Sequence, residues 1–177
     1  VSGLVLQVKL NGEWQKVESL VSNLGPSMQR GYDKAVSQFS RNLLAIVKKS
    51  LTLGIPPMGG GVTWQPLSPA TIERWGQHPI YNLTGLYSRS VGLYRYKSRV
   101  LIGLPIGTRR SSQKKLTLNQ LAMMLEFGSS DGRIPPRPVW APSLKAAGGK
   151  NKLKQLILTE IRKELQKYGV RPNQVKW

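Results

Sequence analysis

Apolar and polar positions along the chain sort into a few clear patterns. Near the start, Leu4, Leu6, Val8 and Leu10 share a period of two with Gln7 and Lys9 between them, the signature of a half-buried strand. Asn11-Gly12 follows, a pair suited to a type I′ turn, so residues 1–17 are expected to form a hairpin, with Glu13 to Val17 returning. Pro26 fits the first turn of a helix. From there Met28, Tyr32, Ala35/Val36, Phe39, Leu43, Ile46/Val47 and Leu51 recur at steps of three and four. That spacing predicts one long amphipathic helix over 26–53, stopped by Gly54 and Pro56 and burying Phe39 and Leu43 against a sheet. Val91 and Leu93, then Val100, Ile102 and Leu104, alternate on either side of Lys97-Ser98, which predicts a second hairpin over 91–104.

The pattern continues with a short helix. Thr117 and Gln120 have capping-box spacing, Leu121, Met124, Leu125 and Phe127 form its apolar face, and Gly128 ends it in a left-handed conformation. Asp131-Gly132 marks a turn, and Pro135, Pro136 and Pro138 then stiffen an extended arm, so 117–145 reads as a short helix and proline arm. After a small-residue connector from Ala146 to Lys152, the residues Leu153, Leu156, Ile157, Ile161, Leu165 and Tyr168 predict a C-terminal helix over 153–168. Ser68-Pro69 opens a helical turn reaching Trp75, expected to pack Trp64, Leu67 and Trp75 onto the core. The fold class that follows is α+β: a mainly antiparallel sheet packed by one long amphipathic helix and a C-terminal helix, in a single domain spanning residues 1–177.

Charge changes the picture of partners. The chain carries 27 Lys and Arg against 8 Asp and Glu, a net charge of +19. The excess is concentrated after Ser88, where 19 of the basic residues meet 4 of the acidic ones. Such a charge opposes self-association unless screened and favours nucleic acid or acidic protein surfaces. With no cysteine, the chain has neither disulfides nor thiolate metal sites. No run approaches the roughly 18 apolar residues of a membrane helix, and residues 1–10 lack the layout of a signal peptide.

Little in the sequence points to chemistry. His78 stands alone before Pro79, and the carboxylates show neither paired nor metal-ligand spacing. The triple glycine at 59–61 lacks the ending of a phosphate loop. No catalytic residue, metal site or cofactor is expected.

Three stretches carry a resemblance. Trp64-Gln65-Pro66-Leu67-Ser68-Pro69-Ala70-Thr71, then Leu83-Thr84-Gly85-Leu86 running to Ser90-Val91, then Leu125-Glu126-Phe127-Gly128 followed by Pro136-Arg137-Pro138 and Trp140, resemble in order the motifs of the tailed-phage tail-completion, or virion-morphogenesis, proteins of Mu-like and lambda-like phages. The resemblance covers roughly half of the chain. It implies a structural virion protein of the neck, made in the host cytoplasm. Such a protein terminates the tail and joins it to the head connector as a ring, often hexameric, touching connector and tail-tube proteins.

Glu126, Arg137 and Trp140 are then the candidates for intersubunit contact. Glu126 and Arg137 form an expected ion pair pinning the arm, and Trp140 has two readings, an anchor in a neighbour or a filler of its own core. Arg109, Arg110, Lys114 and Lys115, in a loop from Gly107 to Lys115 without apolar residues, are candidates for contact with phage DNA or an acidic partner. The alternative class is a basic nucleic-acid-binding protein of ribosomal or chromosomal type. The last helix carries Lys150, Lys152, Lys154, Arg162, Lys163 and Lys167 for it, although the RNP, KH and zinc-finger patterns are absent.

Overall fold

The structure, a computed structural model, describes residues 14–81, 84–96, 99–105 and 117–169. Among them the chain forms α1 (Trp14–Leu53), α2 (Pro69–Trp75), α3 (Leu86–Ser90), β1 (Gly92–Tyr96), β2 (Arg99–Gly103), α4 (Leu118–Phe127), α5 (Trp140–Ala146) and α6 (Gly149–Gln166). Six helices and one two-stranded antiparallel sheet make a mixed helix-and-strand fold in which helix dominates, so the expected mainly antiparallel sheet is overstated. The 91–104 hairpin is present: Leu93 faces Ile102 and Tyr94 faces Leu101.

At the N-terminus the expectation fails where it can be checked. Residues 1–13 of the proposed first hairpin lie outside the described residues, but 14–17 are helical. Trp14, Val17, Leu20/Val21 and Leu24 continue the three- and four-residue steps backwards, which favours helix over a returning strand. Pro26 therefore lies inside α1 rather than at its start. Gly25 precedes it and has no Cβ to clash with the proline ring, so the helical path runs through.

The described residues group into two compact units, 14–35 with 157–169 and those between 36 and 156. The division falls within α1 and within α6. In the first unit α1 packs against α6, with Gly31 set against the backbone of Ile161. Ser27, Gly31 and Ala35, four apart, are buried, whereas Met28 and Tyr32, the positions expected to face inward, are 38% and 41% exposed. A Cβ at Gly31 would stand 2.7 Å from the Ile161 Cα, so only glycine permits this approach.

Glu164 on α6 is buried and meets three cations, Arg30 at 3.7 Å, Lys34 in a short contact and Lys167 at 2.8 Å. Hydrogen bonds from Lys167 and Lys34 pull its pKa down to about 2, and the Lys34 pKa rises in return.

In the second unit Val47 and Leu51 of α1 form a core with Tyr87 of α3, Val91, Leu118 and Ala122 of α4, and Val139 of the arm. Phe39 is buried as expected, and Leu43 packs against this cluster, whose buried members come from α1, α3, α4, Val91 and the arm and not from β1 or β2. Gly54, at φ +66, stops α1, its N–H bonded to the Ser50 carbonyl. The small-residue stretch expected as a connector is largely helical: α5 runs to Ala146 and α6 starts at Gly149, ahead of the expected residue 153.

Candidate functional site

The three stretches that carry the resemblance come together in the second unit, and the arm joins them. On α4, Thr117 and Gln120 form the capping box: the Gln120 N–H donates to Thr117 Oγ1 at 3.2 Å and the Thr117 N–H to Gln120 Oε1 at 2.8 Å. Gly128 ends the helix at φ +84 and ψ 167, a positive-φ conformation suited to glycine but outside the left-handed helical region. It has to be small, because a Cβ there would lie 3.0 Å from the Ile134 carbonyl oxygen.

The turn after it closes tightly. The Ser129 N–H donates to the Ile134 carbonyl at 2.9 Å, and Asp131 accepts from the Ser129 hydroxyl and the Arg133 N–H. Those two bonds, Ser129's first, lower the Asp131 pKa.

The chain then returns along its own helix. The Arg137 N–H donates to the Leu125 carbonyl at 2.7 Å, and the arm ends by turning into α5 at Trp140. That helix has no side-chain cap of its own, since Val139 stands at the cap position. Glu126 supplies one from α4: Oε2 accepts from the Val139 N–H at 2.7 Å and Oε1 from the Trp140 N–H at 3.2 Å. A carboxylate here satisfies two orphan donors and complements the helix dipole.

The expected Glu126–Arg137 ion pair is therefore not formed, because backbone donors have taken both carboxylate oxygens. Arg137, 5% exposed, turns to the first motif instead, donating Nε to the Gln65 carbonyl and Nη2 to the Pro66 carbonyl, each at 3.1 Å. Burial lowers its pKa. Among the three candidates for intersubunit contact, Glu126 and Arg137 are thus committed within the chain, and Trp140 is half-buried against its own core.

Further bonds tie the set. Trp64 Nε1 donates to the Pro138 carbonyl at 3.1 Å, and the Tyr81 hydroxyl donates to the Arg137 carbonyl in a short hydrogen bond. The rings of Trp64 and Tyr81 lie 5.2 Å apart and those of Tyr81 and Tyr87 5.4 Å apart. Burial first, then neighbouring charge, pushes both tyrosines well above the usual phenol range, so they remain neutral donors. The Tyr87 hydroxyl is buried without a well-formed hydrogen bond; Trp140 comes near enough to affect its proton affinity but not to satisfy it. Tyr81 sits at φ +72, the one non-glycine residue with positive φ among the described residues. Such strain persists where the surroundings enforce it, and here the Arg137 bond and two ring contacts do so. Nothing in the sequence marked this tyrosine.

Beside this junction lies a groove of about 570 Å³. Leu67, Trp75, Leu121, Leu125 and Ile134 give it apolar walls, and Arg133, Arg137 and His78 line it as well. Trp75 is 54% exposed, so it stands at the groove instead of in the core, contrary to its expected role in a latch; Trp64 alone of the two tryptophans packs on the core. His78 Nδ1 lies 2.9 Å from the Pro79 carbonyl oxygen. Among the described residues no three His, Asp or Glu side chains gather to hold a metal, and no helix is long and apolar enough to cross a membrane.

Arg109, Arg110, Lys114 and Lys115 lie outside the described residues. On α6, Lys150, Lys152, Lys154, Arg162 and Lys163 are all exposed, as is Lys167 just after it. Comparison with protein families, with characterised proteins and with solved structures gives no match.

Proposed function

We propose that the protein is a structural component of a phage neck that completes the tail and joins it to the head connector as a ring, by binding and not by catalysis. The observation that carries this reading is the convergence just described: the first and third stretches, singled out for their resemblance, are hydrogen-bonded to each other, the second packs against the third through Tyr87 and Val91 in the core with Val139, and all three line one groove. In this reading the groove receives a neighbouring neck protein. Exposed apolar side chains on α4, Met123 at 61% and Phe127 at 72%, offer a surface on which subunits close into a ring.

Mass photometry and negative-stain microscopy of the purified chain test the ring. Closed rings at physiological salt support it, whereas a monomer at every salt and protein concentration argues against it. Met123→Ser/Phe127→Ser should break the ring while leaving the thermal melt unchanged.

A second reading, a basic nucleic-acid-binding protein, draws on the exposed lysines and arginines of α6 and on Arg109, Arg110, Lys114 and Lys115. Changing those last four to Ser should weaken binding to unrelated duplexes about equally and make the salt slope shallower. Absence of duplex binding by the unmodified chain would remove this alternative.

A further inference from the structure

Arg137 is a buried cation without a counter-ion. Its guanidinium is held by two neutral carbonyls, Gln65 through Nε and Pro66 through Nη2. Glu126, the nearest acid in the motif, is spent on the Val139 and Trp140 N–H groups. Asp131 is held by Ser129 and by Arg133 at 3.4 Å. No described carboxylate reaches ion-pairing distance of Arg137. Arginine does not shed its proton to escape burial, and a desolvated charge facing only neutral dipoles is costly. The groove that Arg137 lines has no Asp or Glu among its described walls, while Arg133, with a side chain 86% exposed, stands beside it.

We propose that this groove recognises an extended segment of a partner protein that is apolar with a single Asp or Glu, the carboxylate seated on Arg137 under Arg133. The flanking apolar side chains lie on Trp75, Leu67 and Leu121. The apolar walls disfavour a sugar–phosphate backbone. Met123 and Phe127, the surface given to the ring contact, are not among the groove's walls, so the groove is left to a different partner. The inference rests on the groove being the docking site of the neck reading, and it names the chemistry of what docks.

The test is selection of random displayed peptides of about ten residues on the immobilised full chain, in about 0.3 M salt so that general attraction to a basic surface is screened. Enriched peptides should carry one acidic residue among apolar ones, and replacing it with its amide should weaken binding about tenfold or more. Trp75→Ala and Arg133→Gln, both at exposed side chains, should weaken binding of the enriched peptide. Lys48→Gln/Lys49→Gln, which removes charge from exposed α1 positions, should not. Arg137→Lys keeps the charge but loses the two-pronged grip, and its melting curve shows whether the fold survives.

Four outcomes overturn the proposal: no enriched peptide, enriched peptides without an acidic residue, affinity indifferent to the amide replacement, or equal losses from Arg133→Gln and from the Lys48/Lys49 pair. Failure of the neck reading registers separately, as absence of rings from a chain that still binds the acidic peptide.

Discussion

Removing the Glu126 carboxylate is the sharpest perturbation of the arm. In Glu126→Ala the Val139 and Trp140 N–H groups lose their acceptor together. Val139 is fully buried, so water does not replace the lost bond. Hydrogen bonds to a charged group contribute about 1.5–3 kcal/mol each, and a lost helix cap typically costs about 1 kcal/mol. The Trp140 bond is the longer and less buried of the two, so the expected total is about 3 kcal/mol. Glu126→Gln keeps one carbonyl oxygen but turns an amide NH2 towards the second donor, and about half of that loss is expected. Urea unfolding followed by tryptophan fluorescence and by circular dichroism measures both. The midpoint should fall in the order wild type, Glu126→Gln, Glu126→Ala, with unchanged slope. A Glu126→Ala protein within about 0.5 kcal/mol of wild type, the range of an ordinary surface change, would refute the capping role. Equal losses in the two variants would show that charge matters and acceptor geometry does not.

Three other outcomes follow from the packing. Gly31→Ala places a methyl 2.7 Å from the Ile161 Cα and 2.8 Å from its N. Backbone cannot yield as a side chain can, so a loss of about 1–3 kcal/mol is expected despite alanine's better helix propensity; a variant that melts above wild type would contradict it. Glu164, lowered from 4.5 to about 2 by its cations, contributes stability that is complete above pH 4.5 and lost as pH falls towards 2. The full shift corresponds to about 3 kcal/mol, which we discount to about 2 because its lysine and arginine partners are half-exposed. Glu164→Gln should abolish that part of the acid limb in melts taken from pH 6 to pH 2. Phe39, 7% exposed, should cost about 3–5 kcal/mol as Phe39→Ala, and an unchanged melting temperature would remove it from the core.

The parts that could be read from the sequence are those fixed by neighbours along the chain. Alternation and a two-residue gap specified the hairpin from Gly92 to Gly103, because side chains alternate across a strand whatever lies beyond it. The spacing of Thr117 and Gln120, Ser68 before Pro69, and Gly54 after the long apolar stripe marked helix ends, since capping is settled within one turn. The tertiary structure decided what apolar and charged side chains meet. Met28 and Tyr32 have the right period yet stay exposed, while Ser27, Gly31 and Ala35 are buried, and at Gly31 the α6 backbone comes so close that no side chain fits. Trp75 lies on a helix like those whose residues fill the core, yet it borders a groove. Glu126 and Arg137 are opposite charges in one short motif, but the arm's return brings backbone N–H groups to the acid and the carbonyls of Gln65 and Pro66, some 70 residues away, to the base. Such pairings depend on where the chain comes back, which local periodicity does not encode.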